Sequence, residues 1–174
     1  PGLYSVSSTG TLVYLAGEVV KPTQLVWFDR SGNPVGTVGP QARYNDLSLS
    51  PDETHVAVTR GDDTNEDLWL VDLARNISTR FTFDAAQDWH AVWSPDGKRI
   101  AWVSTEGTGH FNLFAADIGD DGLRNARPLP GERRSTLDRY YYSAFDHAIN
   151  PSWSPDGHSL LYVSNPEIGW GTGD

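Results

Sequence analysis

Several groups of side chains in this chain have residue types that could do chemistry. Asp146 and His147, with Ser143 close by, hold the vocabulary of a nucleophile, a base and an orienting acid. Adjacency in sequence is not triad geometry, and no GxSxG elbow accompanies them, so no catalytic residue is assigned. His90, His110, His147 and Asp46 are zinc-donor types. A zinc site needs them to converge on one point, and no spacing requires that, so no metal and no cofactor is expected. The run DDTNED at 62–67 places Asp, Asn and Asp at alternate positions, as a calcium loop does. It lacks the central Gly and the distal Glu at the required offset, and reads as a solvated hairpin tip. Asn76-Ile77-Ser78 matches a glycosylation acceptor, a pattern that short sequences meet often by chance.

The aromatics are more suggestive. Arg139-Tyr140-Tyr141-Tyr142 and Phe145-Asp146-His147 fall in one stretch. Exposed aromatics beside a charged pair suit recognition of a peptide or small ligand. Packing of the same rings against the body of the protein is the alternative, and for Tyr140, Tyr141 and Tyr142 both readings stand.

Bulk properties narrow the classes. The chain has 174 residues, enough for one domain with a core. A net charge of −10 disfavours a phosphate backbone as partner, so no nucleic acid is expected. The one basic cluster, Arg124, Arg127, Arg133 and Arg134, is interrupted by Glu132 and reads as a solvated loop. No apolar run is long enough to span a membrane, so no membrane insertion is expected. With 0 cysteines, disulfides and thiolate chemistry are excluded. The chain opens on Pro1 with no initiator Met and no signal-like stretch, which reads as a processed or truncated start.

The elements that would position these residues come from an internal repeat. Ser94-Pro95-Asp96-Gly97 recurs as Ser154-Pro155-Asp156-Gly157, with Ser50-Pro51-Asp52-Glu53 as a variant and Ser7-Ser8-Thr9-Gly10 as a weaker copy. A second marker runs in step with it: LVWFD, LWLVD and LFAAD end at Asp29, Asp72 and Asp117. Pro presets φ at the second position of a type I turn, Asp suits the third, and Gly takes the left-handed conformation that closes the hairpin. Glu53 in place of Gly predicts strain of about 1–2 kcal/mol in that copy.

Each repeat parses into four short strands. Blade one covers about 4–38, blade two 46–83 and blade three 91–129. An insertion follows at 130–149, and a fourth blade starts at 150–174. Within blade two the strands are expected at 47–50, 54–60, 67–72 and 79–83, and within blade three at 91–94, 98–104, 112–118 and about 126–129. A four-stranded antiparallel unit repeating every 40–45 residues or so is the signature of a β-propeller. The fold class is therefore all-β, a partial propeller of about three and a half blades. Closed rings hold roughly four to eight blades, so further blades or a second copy are expected to complete the ring and cover the open edges.

The SPDG turns followed by KRIAWVS and HSLLYVS resemble the TolB-like, WD-type propeller repeat over nearly the whole chain. That resemblance implies the fold and leaves the role open. Two finer resemblances diverge. The stretch from QLVWFDRSGNPVGTVG through YNDLSLSPDETHVAVTRGDDTNEDLWLVDL resembles propellers attached to bacterial serine/threonine kinases. RYYYSAFDHAINPSWSPDGHSLLYVSN resembles propellers that precede a metal-dependent amidohydrolase domain. Both imply that chemistry resides in another domain, and together they suggest a periplasmic or other extracytoplasmic location.

In such propellers the loops joining strands two and three share a face with the loops joining one blade to the next. These are 61–66 and 105–111, and 39–45, 84–89 and 130–149. Aligning the turns also aligns Asp46, His90 and Asn150, just before the innermost strand of their blades, where they would ring one mouth of the channel. Such a ring either binds a ligand or orders water, the latter being favoured. The function expected is a non-catalytic module that binds a protein or peptide on the loop-rich face through Tyr140, Tyr141, Tyr142, Asp146, His147, Asp46, His90 and Asn150. The alternative is the N-terminal propeller of a hydrolase, amidohydrolase or prolyl-oligopeptidase-like, that shapes substrate access.

Overall fold

The computed structural model describes residues 4–6, 12–16, 22–61, 65–106, 112–119, 122–129 and 148–164. Tyr140, Tyr141, Tyr142, Asp146 and His147, like His110, lie outside them. Blade one is β1 (Tyr4–Val6), β2 (Leu12–Ala16), β3 (Thr23–Phe28) and β4 (Pro34–Ala42). Blade two is β5 (Tyr44–Leu49), β6 (His55–Gly61), β7 (Glu66–Asp72) and β8 (Ile77–Arg80). Blade three is β9 (Asp88–Trp93), β10 (Arg99–Ser104), β11 (Asn112–Gly119) and β12 (Gly122–Pro128). Blade four contributes β13 (Ala148–Trp153) and β14 (Leu160–Ser164). Within each sheet every strand pairs antiparallel with the next in sequence, so blades one to three are four-stranded meanders. The innermost strands β1, β5, β9 and β13 neighbour one another in turn.

Burial on both faces explains the composition of the middle strands. Val56, Val58 and Val71 of blade two meet Leu25, Val38 and Tyr44 on one side. Ala57 and Leu68, on its other face, meet Ala91, Ile100, Trp102 and Phe114 of blade three. A sheet packed on both faces needs apolar residues at consecutive positions, which is why HVAV and RIAWV show no alternation. The outermost strands leave one face in water, and β12 is exposed along most of its length.

The repeated turns are held as their sequence predicts. In blade three Gly97 N–H donates to the Ser94 carbonyl at 2.9 Å, Ser94 Oγ donates to Asp96 Oδ1 at 2.5 Å, and Arg99 N–H donates to Ser94 Oγ at 2.9 Å. The same bonds recur around Ser154 and Asp156. The serine hydroxyl is the largest influence holding the Asp52, Asp96 and Asp156 carboxyls below the ordinary range. Glu53 adopts φ 59°, against 68° at Gly97 and 70° at Gly157, so the strain expected in blade two is present. Glu53→Gly should stabilise the chain by about 0.5–1 kcal/mol, since relief of the left-handed penalty is partly offset by the entropy of an added glycine. Urea midpoints of the two proteins would check this, and an unchanged or lowered midpoint would refute it.

Adjacent blades are joined by one recurring bond. Trp93 Nε1–H donates to the Ser48 carbonyl at 3.1 Å, and Trp153 Nε1–H donates to the Val92 carbonyl at 3.2 Å. Both indoles precede the SPDG turn, and their acceptors occupy equivalent places on β5 and β9. Arg99 reinforces the second joint, with its guanidinium 4.6 Å from the Trp153 ring centroid and an N–H to the Gly157 carbonyl at 2.6 Å.

Several local expectations are corrected. The segment 39–45 is not a loop: β4 runs to Ala42 and β5 begins at Tyr44. The ladder absorbs 39–41 as a bulge between the Thr23–Ala42 and Leu25–Val38 pairs. Gly39 permits it with φ 67° and donates its N–H to Asn76 Oδ1 at 2.7 Å, which gives Asn76 a structural task. The last strand of blade two ends at Arg80 rather than at 83, because Phe81 turns into the core while Thr82 Oγ1 accepts the Leu68 N–H at 3.0 Å. Asp46, His90 and Asn150 lie within β5, β9 and β13, not before them. The inner strands start earlier than expected because each carries one extra, bulged residue near them.

Candidate functional site

One edge of the blades gathers the polar side chains. It is where β6 ends, β7 begins, β8 ends and β5 and β9 start. Asp46 is its most committed member. The carboxylate accepts from Thr59 N–H at 3.2 Å and Thr59 Oγ1 at 2.7 Å through Oδ1. Through Oδ2 it accepts from His90 N–H at 2.7 Å and lies 3.3 Å from His90 Nδ1. Asp46 thus clasps blade two to blade three. The side-chain contact through Nδ1 is also the main reason the His90 imidazole titrates above its ordinary value. His90 sits at φ 53° and Asn150 at φ 55°, matching left-handed bulge positions on β9 and β13. Asn150 is exposed. Of the three residues aligned from the sequence, the structure joins Asp46 and His90 directly.

Beside the clasp the acids are buried. Asn45 Nδ2 donates to Glu66 Oε1, and burial pushes the Glu66 carboxyl up despite that bond and the nearby Arg43. Asp88, 1 % exposed, is pushed up to about 6. Its burial outweighs the Ser104 and Thr82 hydroxyls and the Trp102 indole, whose Nε1 lies 3.2 Å from Oδ1. Among the described residues no group of three or more His, Asp or Glu side chains is arranged to hold a metal.

The open feature of this edge is a cleft of about 460 Å³ above the core shared by blades one and two. Ala42, Arg43, Arg60, Asp67, Trp69 and Arg80 line it with Gly61 and Asn65. Strand register explains the grouping. Val58, Trp69 and Arg80 form one row across β6, β7 and β8, and Arg60 and Asp67 form the next. Rows two residues apart put their side chains on the same face. Arg80 donates to Asp67 Oδ2 at 2.7 Å and to the Thr82 carbonyl at 2.9 Å. The Arg60 guanidinium lies 4.5 Å from the Trp69 ring centroid. Arg43 is the single residue between β4 and β5, and Tyr44 fixes that crossing by donating its hydroxyl to the Pro40 carbonyl at 2.7 Å.

Sequence reasoning passed over Arg43, Arg60, Trp69 and Arg80. Arg60 and Asp67 flank the 61–66 hairpin, so register counted outward from that turn was the available signal. Asp67, read as part of a hairpin tip, is instead buried and ion-paired.

No protein-family model matches the chain. It is 26% identical over 145 residues to dipeptidyl-peptidase 5 of Porphyromonas gingivalis, covering 74% of this chain and 19% of that protein. The chain therefore spans about a fifth of the length of that curated relative. Among solved structures, TolB from Acinetobacter baumannii matches with a TM-score of 0.69 at 20% identity, covering 95% of this chain and 38% of that one. The β-propeller domain of the Trilobed protease from Pyrococcus furiosus matches with a TM-score of 0.54 at 14% identity, covering 74% and 43%. The meander blades, their serial packing and these matches agree: the chain has the fold of the TolB-like β-propellers.

Proposed function

We propose that this chain is part of a non-catalytic propeller module that binds a protein or peptide on the edge bearing the inter-blade cleft. The observation that carries the reading is the cleft itself: an open, partly apolar groove with fixed hydrogen-bond donors, on the face where the 61–66 and 105–111 connections also emerge. β12 ends and β13 begins at this edge, so Tyr140, Tyr141, Tyr142, Asp146 and His147, which fall between them in sequence, stay as proposed contacts. An extracytoplasmic location and ring closure by further blades or a second copy belong to the same proposal.

A display library of random heptapeptides selected against the chain tests it. Enriched peptides should lose at least tenfold in affinity when Tyr140, Tyr141 and Tyr142 are changed to Ala, with the circular dichroism spectrum unchanged. Peptides whose binding ignores every substitution on this edge, or no enrichment at all, would overturn the reading. A second reading, favoured by the match to a peptidase, makes the chain the access-shaping propeller of a hydrolase. Dipeptide release by the complete gene product, abolished by mutating a nucleophile outside these residues, would select it.

A further inference from the structure

We infer that the cleft between blades one and two is a subsite for a single peptide carboxylate, either a free C-terminus or one Asp or Glu side chain, held by Arg60. This presupposes the peptide-binding reading of the face and names the chemistry it recognises.

The repeat supplies an internal control. In blade two the two rows of the cleft are Val58–Trp69–Arg80 and Arg60–Asp67. The equivalent rows of blade three are Trp102–Phe114–Pro128 and Ser104–Asn112. Blade three makes the same sheet with no charged residue at these places. The two arginines and the aspartate of blade two are therefore not demanded by the fold.

The three arginines of the cleft are not equivalent. Arg80 is committed to Asp67 and to a carbonyl. Arg43 stands near the Glu66 carboxyl. Arg60 has the Trp69 face and, among the described residues, no carboxylate or carbonyl acceptor. Arg99 stacks on Trp153 in the same way but also donates to the Gly157 carbonyl, as a purely structural arginine should. A guanidinium held over an indole face satisfies none of its N–H donors there, and those donors form a fork shaped for a carboxylate. Among the described residues, Arg43, Arg60 and Arg80 set against Asp67 and Glu66 leave one positive charge, which one carboxylate neutralises. The net charge of −10 repels a polyanion far more strongly than a ligand with one acid.

The test is an NMR titration of the chain, reading the Arg60 Nε–H and Trp69 Nε1–H resonances. The probes are acetyl-trialanine with a free C-terminus, the same peptide amidated, an amidated acetyl-Ala-Glu-Ala, and inorganic phosphate at matched ionic strength. Both carboxylate peptides should shift the two resonances, and the amidated trialanine should bind at least tenfold more weakly. Arg60→Gln should weaken the carboxylate peptides at least tenfold, and Arg60→Lys should recover only part of this. Arg75→Gln, on the exposed β7–β8 turn, should change nothing. Equal binding of the amidated peptide, or indifference to Arg60→Gln, overturns the carboxylate subsite while leaving peptide binding on this face intact. Phosphate binding as tightly as the carboxylates overturns the assignment of ligand. Binding by none of the probes overturns it too. Failure of the heptapeptide selection, by contrast, defeats the underlying reading.

Discussion

Trp102→Ala should lower the unfolding free energy by about 4 kcal/mol, the largest single loss expected in this chain. Trp102 is 3 % exposed, stacks on Phe114 at 5.7 Å, and lies in the core shared by blades two and three. Truncation opens a cavity between two blades and also removes the indole donor from Asp88, a buried acid. Trp102→Phe separates the two effects, because it keeps most of the volume and loses only the donor, at about 1–2 kcal/mol. Denaturant midpoints for both variants check the ratio. Similar losses in the two would place the contribution in the hydrogen bond rather than in packing, and a loss under 1 kcal/mol for the alanine variant would refute the assignment.

Asp88→Asn should stabilise the chain at pH 8 by about 2–3 kcal/mol and leave it nearly unchanged at pH 4. The folded protein binds the Asp88 proton more tightly than the unfolded chain does, with a pKa of about 6 against an ordinary 3.8. A carboxyl raised in this way favours folding fully below the unfolded pKa. The contribution is lost as pH rises, and is gone once pH passes through the folded pKa. Stability of the wild type should therefore fall between about pH 4 and pH 6 from this group, while the amide, which cannot ionise, should show no such decline. Asn Oδ1 still accepts from the Trp102 indole, and its Nδ2 takes the place of Asp88 Oδ2, which has no hydrogen-bond partner among the described residues. Thermal midpoints of both proteins from pH 4 to pH 8 test this. Parallel curves would show that Asp88 is not the group responsible.

The blade architecture was legible because its markers are local. Four residues, Ser-Pro-Asp-Gly, close a hairpin through bonds among themselves and the next residue or two. The structure shows those bonds around Ser94 and Ser154. Consecutive apolar residues such as those of RIAWV likewise report a sheet buried on both faces. Boundaries were less legible, because bulges are decided by remote partners. The 39–41 bulge depends on Asn76, which is far away in sequence. Asp46 and His90 were brought together by aligning turns, yet nothing in the alignment revealed that their side chains would bond to each other across blades. The Arg60–Trp69–Arg80 group was missed because its members come from three strands, and its charges are conspicuous only once the register of the next blade is set beside it.

The indole-to-carbonyl joint gives the chain a standard coupling. Trp93 reaches Ser48 and Trp153 reaches Val92 through the same donor, the same acceptor place and nearly the same length. Contacts of this kind involve nearest neighbours only, so each blade recognises any blade that presents that carbonyl. A gene that copied or dropped the segment from one SPDG turn to the next would thus lengthen or shorten the row of blades without inventing an interface. Leu49, which stands where the next blades have tryptophan, marks the one described joint that lacks the coupling. There, between blades one and two, the side chains are released from repetition, and that is the joint where the arginine cleft opens.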